Sequence, residues 1–250
     1  MSSKGTGYSL ALGIVVAFIG YILWQITIGI DTKSDDITTI LTNSGDGSAM
    51  IQAASILICV GMVVHLTGLI STRGTAAGSM ESIGILSIAA AIALWVANIG
   101  LGISLAEMGE KFTAAMAGAA AGNAEAAATA GTIGTAGGFA QAANVATSTM
   151  GALLAGIGWL CIGLAYKGND AKGVISFIPL SLLAIIMGLI LIVSNIIIST
   201  AVSVEAASQL SGIGFILIVI WSVSRGLQIA KDWFLKFQYN RNKKPCLNNR

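Results

Sequence analysis

Apolar residues gather in six long stretches, at 8–30, 49–70, 82–105, 149–166, 174–200 and 208–227, separated by polar, Gly-rich or charged segments. A helix rises about 1.5 Å per residue, so crossing a hydrocarbon layer about 30 Å thick takes about 20 apolar residues. The pattern therefore predicts an all-α, six-helix transmembrane bundle, with the fourth span the shortest. The first stretch is too long for the h-region of a signal peptide, and no small-residue cleavage pattern follows it, so it reads as a retained helix.

The segment 111–148, between the third and fourth stretches, is built mainly of Ala, Gly and Thr. Alanine favours helix and glycine interrupts it. The segment reads as an extracytoplasmic helical hairpin: the third helix runs on past Glu110, the chain turns within 122–138, and a second helix leads into the fourth span. The alternative is a re-entrant loop, whose backbone needs protein or water around it. The first inter-span loop, 31–48, is polar and acidic, with room for a turn or two of helix.

Composition agrees. Of 250 residues, 55% are hydrophobic and only 10% are charged, and the mean hydropathy is +0.85. A soluble domain carries about 25% charged residues. Lipid removes the need for a charged surface, and the 31 glycines fit helices that pack backbone to backbone.

Charge orients the bundle. Lys4, Arg73, Lys167, Lys172, Arg225, Lys231, Lys236, Arg241, Lys243, Lys244 and Arg250 fall on one side of the spans, leaving only Lys33 and Lys111 on the other. Asp31, Asp35, Asp36, Asp46, Glu107, Glu110, Glu125 and Glu205 lie opposite the cations. Glu81, Asp170 and Asp232 break the rule. Cationic flanks stay in the cytoplasm during insertion. This predicts a multi-pass protein of the cell membrane with both termini cytoplasmic. Tyr8, Tyr166, Trp221 and Trp233 are expected at the inner interface and Trp24 at the outer one, with Trp95 and Trp159 in helix contacts. A faint parallel repeat relates spans two and three to spans four and five, with Asn98 and Asn195 in corresponding places and Gly61 and Gly158 at matching depth.

Candidate chemistry is sparse. Asn98, Asn195, Gln52 and His65 form a candidate intramembrane polar site, because a polar group in lipid needs a partner. The asparagines read either as a shared polar path or as packing hydrogen bonds worth about 0.6 to 2 kcal/mol. His65 reads as a proton relay or as a neutral histidine bonded to a carbonyl or hydroxyl; without a carboxylate in any mid-span, a relay has no second station. Glu107, Glu110 and Glu205 form a candidate outer acidic cluster, as solvated charges or as oxygen ligands for a divalent cation. In the basic tail, 228–250, Lys231, Trp233, Phe234, Lys236 and Phe237 suit an anionic lipid surface. Nucleic acid is not an expected partner. Cys59, Cys161 and Cys246 have no redox or metal spacing, and no catalytic, cofactor or metal motif is present in the sequence.

Three functions follow in order: a non-catalytic structural or accessory subunit of a larger membrane assembly, joined to other subunits or to itself; a small-solute carrier or channel with a polar midplane path; and a membrane enzyme. The topology is testable at once. Tags placed in the 31–48 loop and at the C-terminus should be reached from opposite compartments, and labelling of both from one compartment would overturn the even number of crossings.

Overall fold

The computed structural model describes residues 3–76, 78–168 and 178–242, the last seven of these as backbone only. Asp170, Lys172, the start of the fifth stretch, the side chains of Lys236 and Phe237, and 243–250 with Cys246 lie outside the described residues.

The chain is an all-helical, multi-pass membrane protein, and six helices are long and apolar enough to cross a bilayer. In chain order the helices are α1 (Lys4–Ile28), the short α2 (Ile37–Asp46), α3 (Ser48–Ile70), α4 (Met80–Ala120), α5 (Ala124–Ala165) and α6 (Leu180–Val193). A π-helical turn, Ser194–Ile198, and one α-helical turn, α7 (Ser199–Ala201), prolong α6, and α8 (Val204–Asn242) ends the described chain. No strand occurs among the described residues.

Local chemistry sets the ends. Ser3 caps α1 by accepting from the Thr6 amide, at 3.2 Å. Asp36 caps α2 by accepting from the Thr39 amide, at 3.1 Å, and that bond holds its carboxyl below the usual carboxylate range. Between α4 and α5, Gly122 takes a φ of 86° that side-chain-bearing residues rarely adopt. The Asn123 amide then reaches the Gly118 carbonyl and the Gly122 amide the Ala119 carbonyl, which closes α4 in a Schellman motif. The Asn123 side chain immediately caps α5 through the amides of Glu125 and Ala126. A three-residue turn thus joins two helices of 41 and 42 residues. At 1.5 Å per residue each is about 60 Å long, twice the hydrocarbon thickness. The far end of this pair builds a second core with α2, in which Ile40 and Leu41 pack on Leu105, Phe112 and Ala130.

The six long helices form a closed ring in which each packs on the next in chain order: α1, α3, α4, α5, α6, α8, and back to α1. Four seams are backbone contacts between glycines: Gly13 with Gly61, Gly84 with Gly158, Gly156 with Gly188, and Gly226 with Gly7. The α3–α4 and α6–α8 seams have no such pair among the described residues. The ring therefore divides into two tightly packed triplets, α8–α1–α3 and α4–α5–α6. In the faint repeat, α3–α4 and α5–α6 correspond, yet only α5–α6 closes on a glycine pair. Leu12, Ile56, Leu86 and Ile213 remain exposed, the apolar surface a bilayer covers.

A β-carbon on Gly61 would overlap the backbone of Gly13 and Ala17, whereas one on Gly100 would meet nothing within 4 Å. Gly61→Ala should therefore destabilise the protein by about 1–3 kcal/mol, and Gly100→Ala should be neutral or stabilising by up to about 1 kcal/mol. Thermal unfolding in detergent measures both, and equal effects would refute the seam.

Candidate functional site

The ring encloses a cavity of about 620 Å³. That falls within the range of small-molecule sites, about 300–1,000 Å³. Its lining runs along α1 from Ile14 to Ile28, about 20 Å, and continues into the α1–α2 loop at the hairpin end of the molecule.

The lining changes with depth in the same order on three helices. Starting from the hairpin end, α1 presents Gln25, then Tyr21, then Ile14. On α4 the order is Asn98, Trp95, Ile88, and on α8 it is Ser211, Phe215, Ile218. The α6 extension adds Asn195 at the polar level. Three layers result: a polar belt, an aromatic collar and an aliphatic floor. The collar bridges the lumen. Phe215 packs against Tyr21 of α1, with ring centroids 6.5 Å apart, and edge-on to Trp95 of α4, at 5.2 Å, although α1 and α4 are not neighbours in the ring. Trp24 of α1 also crosses to α4, where its indole lies on Gly102.

Asn195 sits in the π-helical turn and is oriented by its surroundings. Its Nδ2 donates to the Leu191 carbonyl at 2.8 Å and contacts the hydroxyls of Ser194 and Ser211 at 3.1 Å. Ser194 and Ser211 bond to each other at 2.8 Å, which ties the turn to α8. A carbonyl only accepts, so the amide must point its nitrogen at Leu191 and leave Oδ1 uncommitted. Asn98 differs: its amide makes no hydrogen bond to a described residue, and its Oδ1 is buried without a partner. Such an unpaired polar group costs about 1–3 kcal/mol. π-helical turns frequently occur at functional sites.

His65 lines the floor, is 2% exposed, and donates from Nδ1 to the Leu10 carbonyl at 3.0 Å. At this end the lumen is filled by Trp159 and Trp221, packed edge to face at 4.8 Å, with the Trp221 Nε1–H donating to the Leu180 carbonyl at 3.0 Å. Trp221 is therefore a core residue, 2% exposed, not the interfacial anchor its sequence position suggested. An indole with a buried carbonyl partner loses the incentive to reach headgroup depth.

The other sequence candidates divide. Gln52 is exposed and takes no part in the cavity. It is thirteen residues before His65, which places it about 140° away around α3. Glu107 is exposed, Glu110 accepts from the Ser48 hydroxyl, and Glu205 accepts from the Ser34 hydroxyl at 3.2 Å. Of these three, only Glu205 reaches the cavity, at its mouth beside Lys33 and Asp31. No group of three or more His, Cys, Asp or Glu side chains that could hold a metal occurs among the described residues. Lys231, Trp233 and Phe234 are exposed where α8 leaves the bundle.

One polar cluster escaped the sequence reading except as a charge on the wrong side. Glu81, in the first turn of α4 at the opposite end from the cavity mouth, is 2% exposed. Its carboxylate accepts from the Gly74 amide at 2.6 Å, from the Thr75 and Tyr166 hydroxyls at 2.9 Å, and from the Ala76 amide at 3.3 Å. The Arg225 guanidinium lies 5.4 Å from the Tyr166 ring centroid. Glu81 thus joins the α3–α4 loop to α5 and, through Tyr166, to α8. A buried charge survives when its lone pairs are filled.

Compared with known proteins, the chain matches no family model, no curated protein and no solved structure. Tyr166→Phe removes one donor from a buried carboxylate and should destabilise the protein by about 1–3 kcal/mol. An unchanged thermal midpoint in detergent would refute the role given to Glu81.

Proposed function

We propose that the chain is a carrier for a small uncharged solute, set in the cell membrane with both termini cytoplasmic and the cavity mouth on the outer face. The supporting observation is the meeting of Asn98 and Asn195, from two different helices, at one cavity where the Asn98 Oδ1 is left unpaired. Polar groups of this kind inside a membrane mark substrate paths. The packing favours the same reading. The cavity lies between two glycine-seamed triplets, and alternating access in carriers is largely rocking of one such bundle against another around a central site. Trp159 and Trp221 close the cytoplasmic side, so the chain as folded corresponds to the outward-facing state.

The sequence pattern placed an accessory subunit ahead of a carrier; with the cavity as support, the carrier is proposed first. The subunit reading keeps one observation in its favour. In the α4–α5 hairpin, which on this orientation projects outward, Phe139 is 75% exposed amid small residues, as on a surface that meets another protein. Purification of a single monodisperse homomer in mild detergent would count against it.

The carrier reading is tested by mass spectrometry of small molecules that co-purify with the chain. A species bound to the unaltered protein should fall at least tenfold on the Asn98→Leu/Asn195→Leu variant, at unchanged elution volume. Identical small-molecule profiles would overturn the reading.

A further inference from the structure

Resting on the carrier reading, we infer that the solute is an uncharged amphiphile, held with a hydroxyl- or amide-bearing head in the polar belt and an apolar body passing the aromatic collar onto the aliphatic floor. Three observations carry this.

First, among the described residues the only Lys, Arg, Asp or Glu side chains lining the cavity are Asp31, Lys33 and Glu205, all at the mouth. Below them Gln25, Asn98, Asn195 and Ser211 provide dipoles without charge. His65, deeper still, has its Nδ1 committed to the Leu10 carbonyl. An ionic group on the solute would therefore lie unpaired in a low-dielectric lumen, which is strongly unfavourable.

Second, the belt offers both kinds of hydrogen-bonding group. Asn195 is anchored through Nδ2 and keeps Oδ1 as an acceptor, while Asn98 has no partner in either sense among the described residues. A head with a hydroxyl or an amide satisfies both, and removes the cost of leaving Asn98 unpaired.

Third, belt, collar and floor follow one another in the same order on α1, α4 and α8. A wholly polar solute would leave Ile14, Ile88 and Ile218 facing its hydroxyls. A wholly apolar one would bury the asparagines against hydrocarbon. Only a molecule graded from polar to apolar matches all three layers. Trp95 and Phe215, edge to face, line the level at which head gives way to body.

The test uses the full chain in phosphatidylcholine nanodiscs at neutral pH, with four probes: octanoyl glycerol, octanoate, octylammonium and glycerol. Thermal midpoint and tryptophan fluorescence are the readouts, because Trp24, Trp95 and Trp159 line the cavity. Octanoyl glycerol should raise the midpoint saturably and change the fluorescence. The two ionic probes and glycerol should do neither. Asn98→Leu removes no protein hydrogen bond and so should fold normally, while weakening octanoyl glycerol about tenfold, equivalent to about 1.4 kcal/mol. Equal saturable binding of an ionic probe, or of glycerol alone, would overturn the amphiphile class. If that binding still falls in Asn98→Leu, the carrier reading stands. A shift by octanoyl glycerol that is the same in Asn98→Leu would mean partition into lipid and overturn the inference. No response to any of the four would also overturn it, while the carrier reading is decided separately by the co-purified species.

Discussion

Close approach of helix backbones at glycine pairs is the constraint on which this structure depends. In a bilayer the lipid is as apolar as the side chains, so helices gain little by hiding apolar surface from it and must find partners through close packing and polar contact. Gly13 with Gly61, Gly84 with Gly158, Gly156 with Gly188 and Gly7 with Gly226 supply that contact at four seams of the ring. Because the glycines lie on the seams, larger side chains are left for the lumen and the lipid face. The two seams without a glycine pair separate the ring into triplets, and the cavity lies between them.

The cavity makes sense as a consequence of ring closure. Six helices packed chiefly on their ring neighbours leave a space along the axis that side chains must fill or leave open. Toward the terminal end Trp159, Trp221 and Leu10 fill it. Toward the hairpin end the filling stops, and the layers of collar and belt take over. The π-helical turn at Ser194–Ile198 falls at the belt, where it seats Asn195 against Ser211. The opposite end is held together by the donors around Glu81.

Much of this was legible along the chain, and the limits were physical. The spans could be read because hydropathy is a property of a window of residues. The turn between α4 and α5 falls at Gly122 and Asn123, two residue types with local backbone preferences of their own. Asn98, Asn195 and His65 stood out because polar residues are scarce in such stretches, and all three line the cavity. Gln52 stood out for the same reason and does not, because a residue's depth is readable from sequence while its direction depends on which face of α3 meets α1. Trp221 was misjudged and Glu81 passed over for a related cause: indole and carboxylate are surface groups until a carbonyl or a set of donors is brought to them, and the Leu180 carbonyl and the Gly74 and Ala76 amides come from distant or irregular parts of the chain.

By itself the sequence determined the apolar solvent and the six stretches long enough to cross it, because these depend on composition within one window. The tertiary structure alone decided that the helices close into a ring, that Tyr21, Trp95 and Phe215 meet across it, and that two asparagines nearly a hundred residues apart reach the same space. Those outcomes depend on the rotation of each helix about its axis, which is set by where glycines on separate helices allow backbones to touch, and no single helix contains that information.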